Sequence, residues 1–313
     1  MSTSVVVGVD IGGTKVLAGV VDPAGVVSGT ARRTTPGRRV VASQVEDALV
    51  EAVVEAAAGR RLAGVGVAAA GFVDPCGERV MFAPHLPWQG EPLRELLEQR
   101  LGCTVVLDND ANCAARAEAH HGAARGASSA LMVTMGTGIG GAVLVDGHVL
   151  RGANGMAGEF GHMQVVPDGQ PCECGRRGCW EQYSSGNALV RNARALMSEQ
   201  PSVLGDMTEG NLDRVTGPMV TSAAEEGDLV AHRAFALVGD WLGVGVANLV
   251  AALDPEVVVI GGGVSAAGDR LLDPARDALS RALVGVGHRT VPDLLAAELG
   301  PQAGMIGAAL LVS

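Results

Sequence analysis

The chain has 313 residues, 48% of them hydrophobic and 18% charged, with a formal net charge of −11. That is enough material for two lobes with sizeable cores. An acidic balance with no basic stripe disfavours nucleic acid as a partner. Apolar runs read as interrupted by Gly, Pro or charge before about 18 residues, so no membrane span is expected. The opening MSTSVVVGVD has no basic n-region or cleavage site, and its apolar strand leaves no room for a helix-turn-helix. The expected location is the cytoplasm.

Residues 5–10 (VVVGVD) read as a buried strand, 12–14 as a glycine turn and 16–22 as a second strand ending at Pro23. Val45, Leu49, Val53 and Val54 recur at helical spacing within 41–58, and a strand follows at 63–70. A short helix is expected over 91–101, a strand over 104–110 and an alanine-rich helix over 110–121. Strand 130–135, glycine turn 136–141 and strand 142–147 then repeat the opening pattern, which suggests an internally duplicated fold. One long helix is expected over 219–253, where Ala234, Leu237, Val238, Trp241 and Leu242 keep helical spacing. After it come a strand running into a glycine turn (257–265), a helix over 271–283 and an apolar helical tail over 304–312 that needs a docking surface.

The glycine turns have phosphate-cradle chemistry. Gly12, Gly13 and Thr14 bring backbone N–H groups close to an anion, and Lys15, the single lysine against 22 arginines, adds a compact charge. Asp10, at the strand end, is placed to hold hydrated Mg²⁺ beside the same phosphates. An isolated Gly-Gly is otherwise an ordinary hairpin turn. Gly136-Thr137-Gly138 is followed by a strand, so it fails the dinucleotide-binding pattern and reads as a second phosphate turn. Gly261, Gly262 and Gly263 offer a flat surface for adenine or ribose.

His162, Cys172, Cys174 and Cys179 form a closed set of nitrogen and sulfur ligands suited to a structural Zn²⁺. Glu159 and Glu181 flank them. Either they are surface charges, or the metal loop fixes them as acceptors for paired sugar hydroxyls. His162 is placed to bind metal through one ring nitrogen and a hydroxyl through the other. Asp110 reads as a helix N-cap or as a general base accepting a hydroxyl proton, with Asn109 orienting the ring.

DIGGTK, NDAN (109–112), GTGIGG, GEFGH, CxCGxxGCWEQ and IGGGVS together resemble the ROK family of bacterial sugar kinases and repressors, in family order over nearly the whole chain. CGRRGCWEQYSSGNALVR (174–191) is similar to its actinobacterial ATP-dependent glucokinase branch. The resemblance implies an actin-like, hexokinase-type (ribonuclease H-like) duplicated α/β fold with an active site in a cleft between two lobes. The small lobe would span 1–112 with 300–313, and the large lobe 113–299. It implies Asp110 as catalytic base, and Asn109, Glu159, His162 and Glu181 as glucose contacts with Gly71 nearby. It further implies His162, Cys172, Cys174 and Cys179 as zinc ligands, Asp10 to Lys15 and Gly136 to Gly138 as phosphate turns, and Gly261 to Gly263 as the adenosine turn. His85 departs from the family pattern, where many relatives carry Asn.

The expected activity is therefore phosphorylation of glucose at its 6-hydroxyl by Mg·ATP, in a homo-oligomer without nucleic-acid or membrane partners. The alternatives are another hexose or an N-acetylated amino sugar as substrate, polyphosphate as donor, or a non-catalytic sugar-sensing regulator of the same family.

Overall fold

The computed structural model describes residues 4–312; positions 1–3 and 313 of the expected lobe ranges lie outside the described residues. In the first part of the chain, β1 (Val5–Ile11), β2 (Lys15–Val21), β3 (Val27–Thr34), α1 (Ala42–Ala57), β4 (Leu62–Ala69), β5 (Phe72–Val73), β6 (Val80–Phe82), α2 (Leu93–Leu101), β7 (Thr104–Asn109) and α3 (Asp110–His121) follow in order. Next come β8 (Ala130–Met135), β9 (Ile139–Val145), β10 (His148–Val149), α4 (Gly186–Met197), α5 (Val203–Met207), α6 (Gly217–Glu225) and α7 (Leu229–Leu253). The chain finishes with β11 (Val257–Gly261), α8 (Asp269–Ala282), β12 (Asp293–Ala296) and α9 (Ala303–Ala309).

Two five-stranded sheets share one plan. The first has the order β3-β2-β1-β4-β7 and the second β10-β9-β8-β11-β12. In each, three consecutive strands lie side by side and two later strands join in parallel: β4 and β7 in the first, β11 and β12 in the second. This is the expected duplication. By internal packing the chain divides into a first unit, running to Ser129 with Ala142–Gly158 and the residues from Glu298 onward, and a second, Ala130–Gly141 with Glu159–Ala297.

In the first unit, Val7, Val9, Ile11, Val65 and Val67 on the sheet pack with Leu49 and Val53 of α1, and Trp88, Leu93 and Leu97 belong to the same core. The apolar tail finds its surface here. α9 packs against β1, β4 and α3, so closely that a Cβ on Gly8 or Gly66 would collide with the Met305 or Ala308 carbonyl.

The second unit is built around α7. It is 25 residues long, and an 18-residue window has mean hydropathy 1.7, so by length and composition it is able to cross a membrane. The expectation of no such run is therefore corrected: only Arg233 and Asp240 carry charge within it, and Gly239, Gly243 and Gly245 do not break the helix because they pack closely against Pro274, Ala275 and Trp180. Half of that window is buried inside the protein, against α4 and α8 among others, as in a core helix. The single helix expected over 219–253 is also corrected. It breaks into α6 and α7 at Gly227 (φ +85°), and the Asp228 side chain caps the new helix by accepting from the Ala231 N–H at 2.8 Å.

Candidate active site

β7 hands over to α3 at Asn109-Asp110. Asn109, not Asp110, is the N-cap. Its Oδ1 accepts from the N–H groups of Ala111 (2.9 Å) and Asn112 (3.2 Å), and its Nδ2 donates to the Gly71 carbonyl at 3.0 Å. Capping uses most of this side chain, so at most one amide hydrogen remains for a ligand. Gly71 has φ +151°, and a side chain there would run into the backbone of residues 82–83.

Asp110 is thereby freed from capping and stands as the first helical residue, half-buried, with Oδ1 accepting from the Ala111 N–H at 2.9 Å. Burial pushes its carboxyl above the usual range, against the pull of the Ala111 N–H and the Asn109 side chain. Asp10 lies near the end of β1. Burial first, and then the Asp110 charge, raise it to about 6, while Lys15 opposes the shift. A carboxylate that holds its proton more tightly than usual is a better proton acceptor once ionised.

The first of the expected phosphate turns joins β1 to β2. Gly12 N–H donates to the Lys15 carbonyl at 3.0 Å. Thr35, which the sequence reading missed, straps the turn from the end of β3: its N–H donates to Thr14 O at 3.1 Å and its hydroxyl to Gly12 O at 2.7 Å. His85 lies over the turn, where a Cβ on Gly13 would stand 2.6 Å from the His85 Cβ.

In the second unit the turn Gly136–Gly138 is closed by a Gly136 N–H to Gly138 O bond at 3.0 Å. It is tied to the start of α4 by the Gly186 N–H, which donates to Gly136 O at 2.8 Å. A cavity of about 520 Å³ opens beside it, lined by Gly136, Thr137 and Asn187, by Gly263 and Val264, and by α6 residues including Pro218 and Glu225. Its walls are mainly apolar, with few polar groups, as a base-binding pocket requires. Of the predicted adenosine turn, Gly263 lines this cavity. Gly261 packs on the Met132 side chain and Gly262 on the Met135 backbone. The α4 and α6 residues went unnoticed in the sequence, which offers no glycine motif there.

The ligand atoms of His162, Cys172, Cys174 and Cys179 all lie within 4.8 Å of one another. Cys172 Sγ is 3.7 Å from His162 Nδ1, and Cys174 Sγ is 3.6 Å from Cys179 Sγ. Three sulfurs and one imidazole nitrogen fit a closed tetrahedral zinc site. His162 Nε2 is 4.0 Å from Glu159 Oε2, so one ring nitrogen serves the sulfur cluster and the other faces a carboxylate. Glu181 Oε1 is 3.1 Å from Cys172 Sγ, and a Cβ on Gly138 would strike Glu181 Oε2. The Gly136–Gly138 turn and Glu181 thus touch.

Two aromatic residues anchor this loop, and the sequence reading gave them no role. Trp180 is fully buried, donates its indole N–H to Trp241 O at 2.7 Å and occupies the space above Gly245. Tyr183 packs its ring on Trp241, with centroids 4.9 Å apart, and its hydroxyl accepts from the Gln170 N–H at 2.8 Å.

Asp10, the Gly12–Lys15 turn, Gly71, Asn109 and Asp110 therefore belong to the first unit, and the other predicted site residues to the second. The profile of the ROK family matches residues 6–313. The chain belongs to the ROK family. The ROK relatives include the glucokinase of Streptomyces coelicolor, 42% identical over 306 residues that cover 97% of this chain and 96% of its own. The crystal structure of a ROK family glucokinase from Streptomyces griseus, in complex with glucose and AMPPNP, matches with a TM-score of 0.90 and 43% identity over 98% of this chain and 99% of its own. The ROK hexokinase of Thermus thermophilus matches with a TM-score of 0.77 and 37% identity, over 97% and 96% of the two chains. The fold is that of the ROK sugar kinases.

Proposed function

We propose that the protein phosphorylates glucose at its 6-hydroxyl with ATP. The observation that carries this is Asp110, a carboxylate released from capping by Asn109 and raised by burial, whose charge acts on Asp10 at the head of a glycine turn suited to phosphate. The similarity to glucokinases over almost the full chain supports the substrate and the donor.

Asp110 takes the proton of the 6-hydroxyl as that oxygen bonds to the γ-phosphorus. The bond from γ-phosphorus to the β,γ-bridging oxygen breaks, and ADP leaves with the electron pair. Gly12–Lys15 and Gly136–Gly138 supply N–H groups, a hydroxyl and a cation to the phosphates. The 520 Å³ cavity takes the nucleoside. Asp10 would hold hydrated Mg²⁺, which supplies charge neutralisation at the phosphates when bound. His162, Cys172, Cys174 and Cys179 would hold zinc, which supplies rigidity to the loop bearing His162 and Glu181.

Cytoplasmic location, supported by cysteines that form no disulfide among the described residues and by the use of ATP, belongs to the same reading. So does a homo-oligomer, supported by apolar side chains left exposed at Leu229, Leu237 and Val284. The lobe ranges expected from the sequence, 1–112 with 300–313 against 113–299, belong to the same reading; limited proteolysis with and without glucose tests them. The deciding experiment is a coupled assay of ATP with glucose, fructose, mannose and N-acetylated amino sugars. Glucose is expected to give the highest kcat/KM, and preferential turnover of another sugar would overturn the substrate assignment.

A further inference from the structure

Asp108 precedes the Asn109-Asp110 pair, and the motif reading gave it no role. Its side chain is only 3% exposed. Oδ2 accepts from Arg151 Nη2 at 2.5 Å, while Oδ1 accepts from Asn112 Nδ2 and from the Asn109 backbone N–H, both at 2.9 Å. In the sheet register Asp108 lies opposite Ala68, whose other neighbour is Asp10. One buried carboxylate is thus fastened at three points around the start of α3.

Arg151 follows β10 and opens the segment 151–158, the last stretch of the first unit before the chain passes to the second at Glu159. The segment folds back on itself through the Ala157 N–H, which donates to Arg151 O at 3.0 Å. Gly155 (φ +71°) packs so tightly on the Val73 carbonyl that any side chain would collide with it. Val73 is two residues beyond Gly71, whose carbonyl holds the Asn109 amide. The segment therefore reaches the end of β7 directly through the charge pair, and β5 beside it through the close backbone contact at Val73. Its final residue, Gly158, is bonded to Glu159.

We propose that the Asp108–Arg151 pair is a positioning device for phosphoryl transfer, clamping the 151–158 segment onto the corner between β7 and α3 and so fixing where Asn109 and Asp110 stand. This rests on the glucose-kinase reading. An ionised carboxylate at this depth is strongly disfavoured without its partner, so the pair holds one arrangement rather than a range. Positioning matters in this chemistry because a misplacement of about 1 Å lowers turnover by roughly a hundredfold.

The test is steady-state kinetics on wild type, Arg151→Gln, the charge-free double variant Asp108→Asn/Arg151→Gln, and Arg151→Lys. Glucose KM is expected to rise about tenfold or more, with a fall in kcat, in both Gln variants, while ATP KM stays within about twofold. Arg151→Lys, which keeps the charge, is expected to recover most of the loss. The double variant leaves no unpaired buried charge and decides the matter if Arg151→Gln alone fails to fold. A folded double variant with wild-type glucose KM and kcat, or an equal rise in both KM values, overturns the proposal. A wild type inactive on glucose overturns the parent reading and this one with it; an active wild type beside an unaffected double variant overturns the pairing alone.

Discussion

Asp110 stands near enough to Asp10 for its charge to add to burial in lifting the Asp10 carboxyl from 3.8 to about 6. The folded protein therefore holds this proton more tightly than the unfolded chain does. Protonated Asp10 is favoured by folding and ionised Asp10 is disfavoured, so the penalty grows as pH rises from 3.8 to 6 and is complete above 6.

Asp10→Asn is accordingly expected to stabilise the ligand-free protein at pH 8 by about 1–3 kcal/mol, while lowering activity by weakening Mg²⁺ binding. Urea unfolding at pH 8 and near pH 4 checks the sign: the gain should shrink markedly at the lower pH. In the wild type, turnover should fall as pH drops through 6, and more Mg²⁺ should partly restore it.

Removal of the base is the sharpest test of the chemistry. Asp110→Asn is expected to lower kcat by about 10²–10⁴-fold with ATP KM within about twofold. Because Asn109 is the N-cap and burial disfavours the Asp110 charge, the variant should hold or raise its thermal midpoint. Unchanged turnover would remove Asp110 from the mechanism.

Zinc should be found at one ion per chain by elemental analysis. Chelation, or Cys174→Ser, is expected to lower the thermal midpoint and raise glucose KM together, because metal binding to such a set contributes directly to folding. Active protein free of zinc would contradict the role given to the cluster.

Trp180→Ala is expected to lower stability by about 3–5 kcal/mol, since the side chain is fully buried and bonded to Trp241. Chemical denaturation measures the loss. Glucose KM should rise in the fraction that remains folded, because the anchored loop carries Glu181.

What was legible in the sequence depended on locality. DIGGTK, GTGIGG and the cysteine run announced themselves because turns and metal loops are written in adjacent residues. β3 and β12 were missed because an edge strand with mostly exposed positions carries little periodic signal. The α6–α7 break was written in Gly227-Asp228, but a longer apolar rhythm masked it. The cavity wall from α6 was illegible because Pro218 and Glu225 are ordinary helix residues until folding sets them beside Gly136. Asp108 and Arg151 meet across 43 positions of sequence, and no local pattern joins them.

The seating of α9 on Gly8 and Gly66 has a consequence for biosynthesis. The amino-terminal sheet leaves the ribosome early, yet the part of its face that α9 covers stays bare until residues 303–309 have been made. The second unit, whose segments end at Ala297, is able to mature first. The nascent first sheet must meanwhile wait with apolar surface uncovered, which makes it the natural client of a chaperone during translation.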